Sequence, residues 1–161
     1  QQLQGESLLR REIIQQMALD YLFSKSGSFY QELYEERLID DSFEYSTTVE
    51  TLFNFTIISS DTEKPEAFEG KIKEMLLRTK SLQLDEATFD VMKKRKMGEY
   101  LRSLNSLEHI TNQYLHYYFA DFDYFNFLQL MESITVNDMN NYFKNWISED
   151  RITSFVIKRG T

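Results

Sequence analysis

Apolar residues recur at intervals of three and four along much of the chain, which is the spacing of one face of an α-helix. The first such stretch predicts a long amphipathic helix over about residues 6–24. Its apolar positions are Leu9, Ile13, Ile14, Met17, Ala18 and Tyr21. Lys25–Ser28 breaks the pattern, and Ser28 is a candidate cap for a short second helix that ends near Arg37.

Two later stretches alternate apolar and polar residues, a pattern typical of half-buried β-strands. The first runs from Phe43 to Val49 and the second from Phe53 to Ile57. Because they are separated by only a few residues, we expect them to pair as antiparallel neighbours. The polar stretch Ser59–Lys64 then predicts a loop.

Helical periodicity returns after this loop and continues almost to the end of the chain. Pro65 suits the first turn of one helix, and Asp85 begins another. The inward positions predicted for these two helices are Phe68, Ile72, Met75 and Leu76, then Phe89, Met92, Tyr100, Leu101 and Leu104. A break at residues 104–106 precedes a helix whose apolar positions are Leu107, Ile110, Tyr114 and Tyr117. The aromatic segment from 119 to 130 is expected to be partly helical.

The last helix is predicted to begin after Thr135, a favourable N-cap residue. Its apolar face comprises Met139, Tyr142, Phe143 and Trp146. The stretch from Ile152 to Lys158 predicts a closing strand. The order of elements indicates one α+β domain over residues 1–161, with helices packed in a second layer on a mainly antiparallel sheet.

Composition and charge narrow the functional classes. With 42% hydrophobic residues, 13 Phe and 10 Tyr, the chain can bury a well-packed core and is not a disordered tail. A net charge of -8 disfavours nucleic acid and anionic membranes as partners. The basic run Lys93–Lys96 is interpreted as a solvated helix face and not as a phosphate site.

The chain contains no cysteine, which excludes disulfides, thiolate metal sites and cysteine nucleophiles. This absence suits a reducing cytoplasm, and we predict a cytoplasmic location. No apolar run approaches the roughly 20 residues of a membrane span. No signal peptide is visible, and the chain begins with Gln1. We therefore interpret it as an excised C-terminal fragment of a larger chain.

Catalytic motifs are missing from the sequence. There is no nucleophile elbow or phosphate-binding loop, and only two histidines occur, His109 and His116. Asn105–His109 differs by one residue from His-x-x-Glu-His, in which two histidines hold zinc and the glutamate acts as general base. We interpret Asn105 instead as a helix cap, with Glu108 completing a capping box. The two histidines lie roughly 10 Å apart along a helix, too far to share one ion.

Two other features allow more than one interpretation. The aromatic stretch from Tyr114 to Phe127 could line a peptide groove, although core packing is the simpler explanation. The acid pairs Glu35–Glu36 and Asp40–Asp41 could be acid/base partners or calcium ligands. Neither pair follows a known ligand spacing, so solvated positions are favoured.

Several motifs occur in the order found in one peptidase family. The strongest is the run from Ser26 to Phe43, which contains Leu-Tyr-Glu-Glu-Arg-Leu-Ile-Asp-Asp-Ser-Phe. It is followed by Leu84, Phe89, Lys93, Gly98, Ser103-Leu104-Asn105-Ser106 and Ile134-Thr135-Val136-Asn137-Asp138. Over about 150 residues this order resembles the C-terminal domain of insulinase/pitrilysin-like zinc metallopeptidases. The amino-acid sequence of the run from Ser26 to Phe43 is most similar to that of processing-peptidase-like members from Gram-positive bacteria.

The resemblance implies one half of a clam-like peptidase. The zinc and its His-x-x-Glu-His motif are then expected on the missing N-terminal half, with no catalytic or metal-binding residue in this chain. In the family, the zinc-free half often contributes an arginine and a tyrosine to substrate binding. Here the arginine position holds Tyr34, and the tyrosine position falls within residues 40–43. Tyr34, Phe43 and Tyr45 are therefore the candidates for lining the substrate chamber.

The function implied is a non-catalytic domain that lines the chamber and helps to bind peptide substrate, inactive when alone. Its partners would be the metal-bearing N-terminal domain or a homologous subunit, and peptides. One alternative is a binding or assembly domain of a catalytically inactive partner subunit of the same family. Another is a self-contained α+β interaction domain unrelated to peptidases.

Overall fold

Seven α-helices and one β-hairpin make up residues 4–157, the part of the chain that this computed structural model describes. The helices are α1 (Glu6–Phe23), α2 (Ser28–Glu35), α3 (Pro65–Arg78), α4 (Glu86–Ser103), α5 (Leu107–Phe119), α6 (Phe127–Ser133) and α7 (Val136–Asn145). The strands are β1 (Glu44–Val49) and β2 (Asn54–Ser59), joined antiparallel with Thr47 opposite Thr56. Short 3-10 turns lie at 79–81, 124–126 and 149–151. The α+β fold class is confirmed.

Helix α1 is the centre of the structure. It contacts β1, α2, α4, α6 and α7, so it is covered on more than the single face that the sequence periodicity predicts. Its buried positions are Leu8, Leu9, Ile13, Ile14, Gln15, Met17, Ala18, Leu19, Leu22 and Phe23. A helix that is apolar around most of its circumference belongs inside a core, with other elements packed around it.

The hairpin packs against α1 through a polar contact. Gln15 is 1% exposed, and its side-chain nitrogen lies within hydrogen-bond distance of Thr47, Asn54 and Thr56 on the inner face of the two strands. The amide of Asn54 donates back to the Gln15 carbonyl oxygen at 2.8 Å. This reciprocal pair satisfies polar groups that would otherwise be buried without partners.

A tight backbone turn lies at each end of helix α2. Ser28 is its first helical residue and not its cap, which corrects the sequence prediction; the cap position is held by Gly27. A Cβ atom at Gly27 would collide with the carbonyl of Leu22, so only glycine fits this tight turn after α1. At the other end Arg37 has φ 54°, and the Leu38 N–H donates to the Leu33 carbonyl at 3.0 Å. This is a Schellman motif closed by two buried leucines.

Most of the other predicted helix starts are confirmed, with one correction. Pro65 begins α3, Asp85 accepts from the Thr88 N–H, and Thr135 forms a capping box with Asp138. Helix α5 is capped by Ser106 and not by Asn105. The prediction failed because the preceding helix continues into a turn that takes up Asn105, whose N–H donates to the Arg102 carbonyl.

Two of the motif positions hold the helices together. The Nζ of Lys93 donates to the carbonyls of Glu132 (2.8 Å) and Ile134 (2.9 Å), at the C-terminal end of α6, where a cation is favourable. Lys93 is therefore a structural residue, whereas its neighbours Lys94 and Arg95 are exposed as expected. The backbone of Leu84 exchanges two hydrogen bonds with the side chain of Asn140 on α7.

Several residues predicted to face inward are exposed. Leu101 is 52% exposed, since α4 buries only Phe89 and Tyr100. Leu107 and Tyr114 are 83% and 38% exposed, because α5 buries only Tyr117 against the rest of the described structure. The periodicity along α4 and α5 thus identifies apolar faces correctly. It does not determine which of them find a partner within residues 4–157.

The predicted closing strand is wrong for the residues that the structure describes. Residues 152–157 have no strand partner, and Lys158 lies outside the described range. The Oγ of Ser154 donates to Glu69 on α3 at 2.6 Å, so the segment runs beside that helix instead of along the hairpin. Without a neighbouring strand, an alternating pattern is not enough to make β-structure.

We predict that replacing Gln15 by leucine destabilises the fold by about 1–3 kcal/mol, because the amide of Asn54 and the threonine hydroxyls lose their partner. Urea unfolding followed by the fluorescence of Trp146 measures the change. The control is Gln31→Leu on the exposed side of α2, which should change the unfolding free energy by no more than about 0.5 kcal/mol. Equal effects of the two substitutions would contradict the role given to Gln15.

Candidate functional site

The three residues predicted to line a substrate chamber lie in one row of aromatic rings. Tyr34 stacks on Tyr30 with ring centroids 6.2 Å apart, Tyr30 meets Phe43 edge-on at 5.6 Å, and Phe43 contacts Tyr45 at 6.4 Å. We call Tyr34, Tyr30, Phe43 and Tyr45 the aromatic row. It joins the exposed side of α2 to the first residues of β1.

Exposure decreases along the aromatic row. Tyr34 is 59% exposed, whereas Tyr30, Phe43 and Tyr45 are half-buried. The rings of Phe43 and Tyr45 rest on Phe23, at 6.0 and 6.1 Å. One end of the row is thus anchored on the core, and the other faces solvent.

Tyr30 is the member that sequence reasoning missed. It lies four residues before Tyr34, the spacing at which two side chains of a helix become neighbours. That spacing was visible in the sequence. The contact of Tyr30 with Phe43 was not, because it depends on how the turn after α2 returns the chain toward β1.

The hydroxyl group of Tyr45 is fixed by a carboxylate. It donates to Asp20 Oδ1 at 2.9 Å, and the amide of Gln16 donates to the same oxygen at 3.0 Å. Burial, with a smaller contribution from the negative charge of Asp20, raises the pKa of Tyr45. Tyr45 therefore remains a neutral hydrogen-bond donor, suited to orienting a neighbour and not to acting as a base.

A cavity of about 370 Å³ lies between α1 and α4 at the buried end of the aromatic row. Asp20, the acceptor of the Tyr45 hydroxyl, is part of its wall. The other wall is formed by α4 through Val91, Met92 and Arg95. The lining of this cavity thus combines aliphatic and charged side chains, and it meets the aromatic row through Asp20.

Ion pairs hold α2, and with it Tyr30 and Tyr34, against α3. Glu32 accepts from Arg78 Nη2 at 2.6 Å and from Lys71 Nζ at 2.7 Å, and the guanidinium of Arg78 also lies 4.9 Å from the centre of the Phe29 ring. Hydrogen bonds from Arg78 and then Lys71 lower the pKa of Glu32 to about 2. The packing of α2 therefore depends partly on an ionised carboxylate.

The acid pairs singled out in the sequence lie on the surface next to the aromatic row. Asp40 accepts from the N–H and the hydroxyl of Ser42 at 2.8 and 2.6 Å, and these bonds lower the pKa of Asp40. It thereby shapes the turn before β1. Glu35, Glu36 and Asp41 are exposed, as the solvated interpretation expects.

The aromatic stretch from 114 to 127 divides between core and surface. Tyr117, Tyr124 and Phe127 are buried, whereas Tyr118 and Phe119 are 61% and 83% exposed. The expectation of core packing is therefore right for about half of the stretch. Its exposed members lie on α5 and in the turn after it, apart from the aromatic row.

Two known proteins match most of this chain. The uncharacterized zinc protease YmfH of Bacillus subtilis is 37% identical over 149 residues, which cover 92% of this chain and 35% of the protease. The crystal structure of a "putative M16-like peptidase" from Alicyclobacillus acidocaldarius superposes with a TM-score of 0.77. That match is 24% identical and covers 88% of this chain and 34% of the peptidase. No family model matches the sequence.

These matches support an insulinase/pitrilysin-like family for this chain. Within this family it is a domain of the C-terminal type, as the order of its motifs indicated. The fold is shared with the structure from A. acidocaldarius. The chain spans about a third of the length of both relatives.

The zinc implied by this family finds no suitable set of ligands among residues 4–157. No group of three or more histidine, aspartate or glutamate side chains in that range is placed to hold a metal ion. His109 approaches the Tyr124 hydroxyl at 3.5 Å, and His116 packs against the ring of Tyr117 at 4.8 Å. We therefore assign no metal-dependent step to these residues. Within the same range no helix is long and apolar enough to cross a membrane.

We predict that the contact between α2 and α3 weakens in acid. Glu32 has a folded-state pKa of about 2 against a reference value of 4.5, so its contribution to stability is complete above pH 4.5 and is lost as the pH falls toward 2. Urea unfolding of the unmodified chain and of Glu32→Gln, measured over this range, should give a difference that shrinks as the pH falls.

Glu35→Gln is the matched control, because Glu35 is exposed on the same helix and forms no ion pair in the described part of the chain. Its unfolding free energy should differ from that of the unmodified chain by a small amount that does not follow the Glu32 titration. A Glu32→Gln difference that stays constant down to pH 2 would show that these ion pairs do not hold α2.

Proposed function

We propose that this chain is a non-catalytic domain of a zinc metallopeptidase, lining the chamber and helping to bind peptide substrate. The observation that carries the proposal is the aromatic row. It provides a partly exposed apolar surface at the position where the family resemblance expects substrate contacts. Bond cleavage would occur on another part of the full-length protein.

The composition of the aromatic row suits a peptide. Aromatic rings give large contact areas with little loss of side-chain freedom, and Tyr34 adds a hydroxyl at the rim of an apolar surface. Neighbouring rings of the row lie 5.6–6.4 Å apart. In an extended peptide every second side chain lies on the same face, at a repeat of about 6.6–6.8 Å. Neighbouring rings can therefore contact the side chains that follow one another on that face.

The charges around the row favour neutral or basic peptides. Glu35, Asp41 and Glu44 are exposed close to the row in the sequence, and the whole chain carries a net charge of -8. Carboxylates at the rim of a binding surface act mainly on association rate and partner choice, while the buried aromatic anchors supply most of the affinity.

The proposal includes a partner that carries the metal. This would be the N-terminal part of the full-length protein or a homologous subunit, and closing of the two halves would exclude water from the bound peptide. Zinc belongs to that partner in this proposal. A cytoplasmic location, inferred from the absence of cysteine, is also part of it.

Fluorescence anisotropy of a short labelled, unstructured peptide tests the proposal. We predict saturable binding by the 161-residue chain, weakened about three- to tenfold by Tyr34→Ala, since an aromatic contact contributes about 0.5–1.5 kcal/mol. Because Tyr34 is 59% exposed, its replacement should leave the core intact.

Tyr118→Ala is the matched control. Tyr118 is 61% exposed on α5 and stacks on Tyr114 at 6.0 Å, much as Tyr34 stacks on Tyr30, but it lies outside the aromatic row. Its replacement should leave peptide affinity unchanged. The proposal fails if the chain binds no peptide, or if Tyr118→Ala weakens binding as much as Tyr34→Ala does.

A further inference from the structure

A second cavity, of about 300 Å³, contains a half-buried carboxyl group that the proposed function does not use. It lies between α1, α4 and α5, and Thr47 of β1 reaches its wall. It adjoins the cavity beside Tyr45, with which it shares Lys96 and Glu99. We call it the Glu12 cavity, after the carboxyl group in its wall.

The carboxyl group of Glu12 has only one hydrogen-bond partner in the described part of the chain. The Tyr117 hydroxyl donates to Oε2 at 3.1 Å, and residues 4–157 provide no partner for Oε1 and no ion pair for the group. Burial raises the pKa of Glu12, and the hydrogen bond from Tyr117 opposes that effect only partly. A cation in the cavity would relieve the desolvation of this carboxylate.

The charged residues around the Glu12 cavity leave room for such a cation. Lys96 faces the same space, but its Nζ lies 3.7 Å from Glu99, which also accepts from Arg95 at 3.1 Å. The lining thus contains two carboxylates, of Glu12 and Glu99, against one ammonium group, of Lys96. Because Arg95 and Lys96 both pair with Glu99, Glu12 is the carboxylate of the lining that has no ion pair within the described residues.

Other titratable groups act on Glu12 from the surrounding elements. His116 on α5 and Lys96 on α4 lower its pKa, and Glu50 after β1 raises it. His109 on α5 also lines the cavity. None of these groups forms an ion pair with Glu12 within the described residues, so its charge is balanced only at a distance.

The walls of the cavity are aromatic. Tyr117 and Tyr124 stack face to face with centroids 5.7 Å apart, and Tyr100 meets Tyr124 edge-on at 5.2 Å. Aromatic faces attract ammonium and guanidinium groups. The hydroxyls of Tyr124 and Ser103, 3.3 Å apart, add oxygen atoms that can accept hydrogen bonds from a bound cation.

We propose that the Glu12 cavity binds a primary ammonium or guanidinium group, with Glu12 as its counter-ion. The group could be carried by a lysine or arginine side chain of a peptide or by a small free amine. The proposal rests on this cavity alone, so it holds whether or not peptides bind the aromatic row.

NMR titration of the isotope-labelled chain with n-butylamine tests this proposal, and n-butanol is the neutral probe of equal chain length. We expect saturable shifts centred on Tyr117, Tyr124 and His109 with the amine, and weaker or no binding of the alcohol. Glu12→Gln should weaken amine binding at least about tenfold, because it removes a charge-assisted hydrogen bond but keeps an acceptor for Tyr117. Glu108→Gln, exposed on α5 and outside the cavity, is the matched control and should bind as the unmodified chain does.

The unmodified chain provides a second readout that does not depend on how well a variant folds. Amine binding should weaken as the pH falls through the raised pKa of Glu12, because a proton then competes with the cation. Methylguanidine and Nα-acetyl-lysine methylamide, whose side-chain amine is free, are the further probes. Binding of either supports the site, and binding of the lysine derivative identifies a peptide side chain as a possible source.

Three results would overturn the proposal. The first is the absence of saturable shifts with all three cations. The second is equal binding of n-butylamine and n-butanol. The third is unchanged amine binding in a folded Glu12→Gln chain.

Discussion

The amide group of Gln15 is the contact on which the arrangement of this structure depends. The inner face of the hairpin carries Thr47, Asn54 and Thr56 beside apolar residues, and a central apolar helix would not bury these polar groups without partners for them. Gln15 supplies those partners from within α1 and is itself 1% exposed. Once β1 is fixed by this contact, Tyr45 lies over Phe23 and its hydroxyl group meets Asp20.

The same contact connects the core to the proposed binding surface. Phe43 lies immediately before β1, so its position against Phe23 and Tyr30 follows from where the strand begins. Helix α2 brings Tyr30 and Tyr34 to the other end of the row, held by the pair of Glu32 and Arg78. Two polar interactions thus position a largely apolar surface. In our proposal the residues on this surface bind and orient a peptide, and no group of residues in the described range is placed to hold a metal ion.

The sequence predicts the local features of this fold well. The helix starts at Pro65, Asp85 and Thr135 depend on a residue and its near neighbours, so their signals can be read without the structure. The same holds for the alternating pattern of the hairpin. The sequence prediction chose Asn105 as the cap of α5, whereas the structure has Ser106. Both are good capping residues, and only the position at which α4 ends determines which of them caps α5.

Features that depend on distant contacts could not be predicted. Gln15 lies among apolar residues of α1, and nothing near it in sequence indicates the hairpin amide that it meets 39 residues later. The three proposed lining residues do lie together, but Tyr30, which connects them, was identified only by its contact with Phe43. The segment from 152 to 157 has the composition of a strand and lacks a neighbouring strand within the described residues. The hydrogen bond between Glu12 and Tyr117, 105 positions apart, likewise depends on a distant contact.

Photo-cross-linking of a bound peptide tests the central claim most directly, because it locates the peptide on the chain. A peptide with a photoreactive side chain is irradiated with the 161-residue chain, and the linked residues are identified by mass spectrometry. The account predicts links concentrated on α2 and on residues 43–45, around Tyr30, Tyr34 and Phe43. Links concentrated instead on the exposed rings of α5, around Tyr118 and Phe119, would contradict it.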